Sequence, residues 1–94
     1  MKKVLVCGAT GFIGRNLVID LNKTYQMFYF FHRNTDLTDK KDVKMLLHLI
    51  QPDVIIQAAA TTSGAKDIVE RPHIHVTDNA VMNSLLLREA YNFK

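Results

Sequence analysis

The 94-residue chain has one cysteine, two prolines, four glycines and no tryptophan. A lone cysteine excludes an intramolecular disulfide and agrees with a reducing compartment. Cys7 stands in the apolar run "VLVC", where a small buried hydrophobe is the expected role rather than a nucleophile. The scarcity of proline and glycine, with 48% hydrophobic residues, excludes a disordered chain. No stretch approaches the roughly 20 apolar residues of a membrane span. The run behind Met1, Lys2 and Lys3 is cut by Gly8 too soon for a signal peptide. A cytoplasmic location is the expectation.

Charge of one sign is nowhere concentrated. The net charge is +3, and the only basic pairs are Lys2 with Lys3 and Lys40 with Lys41. Neither is flanked by aromatic or arginine-rich sequence, so a nucleic-acid partner is not expected. A pI near 9.2 fits a phosphate-bearing small molecule equally well. The length allows one domain, with roughly 60–65% of the unfolded surface available for burial.

Apolar patterning then orders the chain. Residues 3–7, "KVLVC", read as a strand buried on both faces. Residues 12–23 follow helical spacing, with Ile13, Leu17, Val18 and Leu21 inward and Arg15, Asn16, Asp20 and Lys23 outward. Residues 26–32, "QMFYFFH", are aromatic-rich and strand-like. The polar turn "NTDLTD" at 34–39 ends in a helix cap. From Asp39, Val43, Leu46, Leu47 and Ile50 define a helix that Gln51 and Pro52 stop. Residues 53–60, "DVIIQAAA", are a third buried strand, and a short extra strand at Thr35–Leu37 is a further option. Residues 61–76 lack clear periodicity. A last helix from about Thr77 to Tyr91 presents Val81, Met82, Leu85 and Leu86. Strand and helix alternate three times, which predicts an α/β fold with a Rossmann-like parallel sheet and flanking helices.

Gly8, Gly11 and Gly14 stand three apart at the seam between the first strand and the first helix. In that setting Gly8 turns the chain off the strand and Gly11 clears space for a pyrophosphate. Gly14 lets the helix pack closely. Amides around Phe12 and Ile13 then face the ligand, and the helix dipole favours its charge. A ligand-free strand–helix turn would need one glycine.

The spacing is G-x-x-G-x-x-G, and "GATGFIG" resembles the extended short-chain dehydrogenase/reductases, the NAD-dependent epimerases and dehydratases of nucleotide sugars. Three more stretches agree. "DLTD" at 36–39 is similar to the family's acidic-hydrophobic pair, here Asp36 and Leu37, whose aspartate holds the adenine amino group. "PDVIIQAAA" at 52–60 resembles the fourth strand, whose small residues (Ala58, Ala59 and Ala60) let ribose and nicotinamide lie against the backbone. "RPHIHVTDNAVMNSLLLREA" at 71–90 resembles the segment in which an asparagine, here Asn79, opens the long helix beside the site. The resemblance spans essentially residues 1–94 and is nearest the GDP-fucose synthase branch. It implies an NAD(P)-binding N-terminal part whose cofactor residues are Gly8, Thr10, Gly11, Phe12, Ile13 and Gly14, with His32, Arg33, Asp36, Leu37, Ala58, Ala59, Ala60 and Asn79. A nucleotide-sugar substrate is implied for the parent enzyme.

An NAD site wants a carboxylate about 20 residues past the glycines to hold the ribose 2′-OH. The second strand instead ends in His32, Arg33 and Asn34, and Arg33 can fork onto a 2′-phosphate. In the family Arg15 lies on the same side of the nucleotide. NADP is therefore favoured, with NAD as the alternative because Asp36 competes for the ribose; a solvated Arg33 is the plainer option.

Other residues invite roles they do not fill. His73 and His75 have no third ligand nearby, so no metal site is expected. Tyr91 and Lys94 form Y-x-x-K, whereas the family's catalytic pair is Y-x-x-x-K and comes later, so no catalytic residue is assigned. Thr61, Thr62, Ser63 and Lys66 stand in a loop that either touches substrate or simply connects. The expectation is an N-terminal portion, inactive by itself, with exposed edges that favour self-association. A non-catalytic NAD(P)-sensing module is the rival from another class.

Overall fold

The computed structural model describes residues 1–31, 34–59 and 70–93, with the side chain of His75 excepted. The elements run β1 (Lys3–Cys7), α1 (Phe12–Leu21), β2 (Gln26–Phe28), α2 (Lys40–Ile50), β3 (Val54–Gln57) and α3 (Pro72–Phe93). The sheet is parallel, in the order β2-β1-β3. β1 is therefore central, which is why its Val4, Leu5, Val6 and Cys7 are all buried. Lys3 pairs with Gln26 on one side, and Val4 through Cys7 pair with Val54 through Gln57 on the other. β2 and β3 each pair only with β1 among the described residues, leaving one edge open apiece.

Alternation along β1 builds two cores. Leu5 and Cys7 face Val43, Leu46 and Leu47 of α2 and Met82 and Leu86 of α3. Val4 and Val6 face the other way, against Val18 of α1 and Tyr25. Leu5, Val6, Val43 and Leu47 are essentially fully buried, and each such side chain stabilises the fold by about 1.5–3 kcal/mol.

The elements depart from the sequence pattern at several points. β2 stops at Phe28, paired with Leu5, although β1 runs on to Cys7, so the chain leaves the ladder at this point; Tyr29 and Phe31 are exposed and meet edge to face at 6.4 Å. β3 is likewise shorter than 53–60, ending at Gln57. Thr35–Leu37 is not a strand. Asp36 instead makes a side-chain-closed turn in which Thr38 donates both its amide (2.9 Å) and its hydroxyl (2.6 Å) to Oδ1. α3 begins at Pro72, five residues before Thr77. Proline suits the first helical position because its missing N–H would have no partner there. Ile13 is exposed rather than inward. Close packing at buried Gly14 turns the inward stripe of α1 onto Gly14, Val18 and Leu21, and Ile13 lies off it.

α2 follows its pattern throughout. Asp39 caps it by accepting the Lys41 amide at 2.8 Å. Gln51, left-handed at φ 51°, donates its amide to the Leu47 carbonyl and closes the helix before Pro52. On α3, Glu89 is buried, and its Oε1 has no hydrogen-bond partner among the described residues.

Candidate functional site

The connection out of β1 passes to α1 on one face, and the chain returns past β1 to β3 by way of α2 on the other. The carboxyl ends of β1 and β3 thus flank the point where the winding reverses, the usual ligand crevice of an open parallel sheet. Gly8 stands there, at φ 83°. A Cβ on Gly8 would lie 2.6 Å from both the Ala58 carbonyl carbon and the Ala59 nitrogen. Backbone therefore meets backbone, with no side chain able to yield.

Gly14 is constrained from the other direction. Its Cβ would collide with the Gly8 carbonyl oxygen and lie 2.9 Å from the Ala9 Cα. Gly11 differs from both. Its backbone is ordinary (φ −77°, ψ 173°), it is exposed, and its Cβ would meet only the Gly8 oxygen, at 3.5 Å. The fold does not need glycine at position 11.

The turn is closed by the Gly11 amide donating to the Gly8 carbonyl at 3.1 Å. Beyond it the amides of Phe12, Ile13 and Gly14 have no intrahelical acceptor. Gly11, the N-cap, has no side chain to take them, and the first turn carries no acidic residue. Phe12 and Ile13 are 75% and 67% exposed, and Thr10 is exposed in the turn. Two of these donors, on Phe12 and Ile13, thus belong to exposed residues at the positive end of a ten-residue helix, while Gly14 is buried.

The other expected residues fall as follows. Ala58 and Ala59 form the wall facing Gly8, and the Ala58 amide donates to the Cys7 carbonyl at 2.9 Å. Asp36 lies at the end of the β2–α2 connection with Oδ1 held by Thr38, while its own amide donates to Asp42. The Leu37 side chain is buried in the α2-side core, so what it can offer a ligand is main chain. Asn79 is half-buried on α3; since that helix starts at Pro72, Asn79 lies about two turns inside it rather than at its opening. His32, Arg33 and Ala60 lie outside the described residues, as do Thr61, Thr62, Ser63, Lys66 and Lys94.

Cys7, directly before the turn, is buried, and burial pushes its thiol up to about 12. It is a neutral packing group. His73 and Tyr91 are exposed on α3. No three His, Cys, Asp or Glu side chains converge among the described residues, and no described helix is long and apolar enough to cross a membrane. A cavity of about 630 Å³ between α2 and α3, reached by Lys44 and Glu89, lies away from the glycines.

One pair escaped the sequence reading. The Gln57 side chain accepts the Ala59 amide through Oε1 (3.0 Å) and donates from Nε2 to Asn83 Oδ1 on α3 (3.2 Å). The available signal was a polar residue closing the apolar run "DVII".

Comparison with known proteins agrees with this geometry. GDP-L-colitose synthase of Yersinia pseudotuberculosis is 29% identical over 89 residues, covering 94% of this chain and 29% of the relative. The chain thus spans less than a third of the length of that relative. The dTDP-4-dehydrorhamnose reductase of Bacillus anthracis, solved with NADP, superposes with a TM-score of 0.88 at 23% identity over 99% of this chain and 34% of its own. The UDP-glucose 4-epimerase of Thermus thermophilus, solved with NAD, gives 0.83 at 26% identity over 97% and 34%. The chain corresponds to the N-terminal part of that fold. A family model described as NAD dependent epimerase/dehydratase matches residues 4–94, and the chain belongs to that family.

Proposed function

We propose that this chain is the dinucleotide-binding part of a nucleotide-sugar epimerase or reductase that uses NADP(H) on a keto sugar carried by a nucleoside diphosphate. The observation that carries the reading is Gly11. Packing accounts for glycine at positions 8 and 14 but leaves position 11 unexplained, and a bulky anion seated on the amides of Phe12 and Ile13 supplies the missing reason. Those amides donate to the pyrophosphate, and the helix end favours its charge. Asp36, oriented by Thr38, accepts from the adenine amino group. The flat Ala58–Ala59 backbone lets ribose and nicotinamide lie close. Arg33 takes the 2′-phosphate as a forked pair. When bound, the cofactor supplies the hydride; this chain binds and orients it and contributes no catalytic tyrosine–lysine pair.

Relatives that act on GDP-linked sugars support the GDP-fucose-synthase-like branch, and a solved relative that holds NADP supports the cofactor. The NAD-bound epimerase favours NAD as the second reading. Self-association along the open strand edges is the other contact expected of this chain. Fluorescence titration with NADPH and NADH tests the proposal. Saturable binding with NADPH tighter is expected; preference for NADH selects the second reading, and no binding of either refutes both.

A further inference from the structure

The strongest unassigned feature is the bridge made by Gln57. β3 ends at this residue, opposite Cys7 of β1. The next two amides are both tied down. Ala58 donates to the Cys7 carbonyl at 2.9 Å, and Ala59 donates to the Gln57 carboxamide oxygen at 3.0 Å. The carboxamide nitrogen then reaches 3.2 Å to Asn83 Oδ1 on α3, which anchors the side chain that holds Ala59. The peptide between Ala58 and Ala59 is the same one that abuts Gly8, with room there only for a hydrogen.

We propose that Gln57 and Asn83 are positioning residues for dinucleotide binding: together they fix the Ala58–Ala59 peptide as the wall of the crevice opposite the glycine turn. The inference rests on the dinucleotide reading above. A backbone wall has no side chain to adjust, so its position depends on what holds its amides. On the β1 side the ladder does this. Past the end of the ladder only a side chain can, and it must accept from Ala59 while being held from behind. A carboxamide does both at once, because it carries an acceptor and a donor on one plane. Asn83 is available for the second contact because α3 runs alongside β3, close enough for Ile55 and Leu86 to belong to one core.

The chemistry distinguishes the variants. Gln57→Leu removes both contacts. Gln57→Glu keeps the acceptor for Ala59, and a rotated Asn83 can donate to it through its own amide. Asn83→Leu leaves Gln57 unanchored, whereas Asn83→Asp keeps the acceptor.

The experiment measures NADPH affinity by fluorescence titration and Ala59 amide exchange by NMR in the 94-residue chain. Gln57→Leu is expected to weaken NADPH binding about tenfold and Asn83→Leu about threefold, the scale of one or two lost hydrogen bonds. Ala59 exchange quickens in both, while amides in the centre of β1 keep their protection. Gln57→Glu and Asn83→Asp stay within about twofold of the parent, and the double leucine variant is no worse than Gln57→Leu, as coupled partners require. If the parent chain binds no NADPH, the dinucleotide reading fails and this inference falls with it. If the parent binds but Gln57→Leu matches it within twofold, or Gln57→Glu loses as much as Gln57→Leu, the positioning role alone is overturned.

Discussion

Replacing Gly11 by serine should move stability and nucleotide affinity in opposite directions. Position 11 is the N-cap of α1, with an extended backbone open to any residue and 3.5 Å of clearance between an added Cβ and the Gly8 oxygen. Serine is a favourable N-cap, because its hydroxyl accepts from the second or third helical amide. The fold should therefore gain a few tenths of a kcal/mol over glycine. The second helical amide is that of Ile13, one of the two donors assigned to the pyrophosphate, and a hydroxyl bonded to it both occupies that donor and fills the cleared space. Losing one charge-assisted hydrogen bond removes about 1.5–3 kcal/mol of binding, so affinity for NADPH should fall roughly ten- to a hundredfold. Gly14→Ala is the control of opposite character. Its Cβ would lie 2.7 Å from the Gly8 carbonyl carbon and 2.9 Å from the Ala9 Cα, all of it backbone. Because every clashing atom is backbone, overpacking at the upper end of about 1–3 kcal/mol outweighs the ~1 kcal/mol that alanine gains over glycine in a helix. A net loss near 2 kcal/mol lowers the melting midpoint by on the order of 10 °C. Urea unfolding and NADPH titration of the parent and both variants decide the matter. A Gly11→Ser chain that is more than about 1 kcal/mol less stable, or that is folded and binds NADPH like the parent, refutes the assignment.

Other substitutions test the frame around the site. Asp39→Ala removes the cap on the Lys41 amide and should cost about 1 kcal/mol in urea unfolding, with Asp39→Asn restoring most of it; an unchanged midpoint would show that the cap contributes nothing. Burial holds the Cys7 thiol protonated up to about 12, against an ordinary 9.0, so aromatic disulfide reagents should label it at pH 8 only in urea. The folded chain then binds more protons than the unfolded one above pH 9. Stability should decline between pH 9 and 12, with a shallower slope in Cys7→Ala. Glu89→Leu removes a buried oxygen that has no donor among the described residues and should raise stability by about 1–3 kcal/mol; a loss of stability would mean that the carboxylate has a partner.

Local chemistry was legible in the sequence, and contacts between distant residues were not. β1 and α2 could be read because their determinants lie within them: a continuous apolar run in one, and a cap, an i, i+3, i+4, i+7 stripe and a Gln-Pro stop in the other. The length of β2 could not, since Tyr29, Phe30 and Phe31 have high strand preference and only the fold shows that the chain leaves β1 after Phe28. The start of α3 was hidden because the first turns of that helix, with exposed His73 and Val76, carry no inward stripe. Ile13 was misplaced because a glycine, invisible to a hydrophobic pattern, sets the packing face of α1. The Gln57–Asn83 bond joins residues 26 apart and depends on where α3 crosses the sheet.

The spacing of the glycines has its own explanation in the geometry. From Gly8 to Gly11 the chain makes one tight turn, closed when the Gly11 amide reaches back to the Gly8 carbonyl three residues earlier. From Gly11 to Gly14 it makes the first turn of α1, which brings position 14 back over that same carbonyl. The Gly8 peptide is thus pressed between Ala58–Ala59 on one side and the helix on the other, and each three-residue step is one turn of backbone around it. A spacing of two in the first step could not close an i to i+3 hydrogen bond between the same two glycines. Close packing therefore fixes where the first and third glycines stand, and the turn fixes the middle position. Only the absence of a side chain at that middle position is left for a ligand to explain.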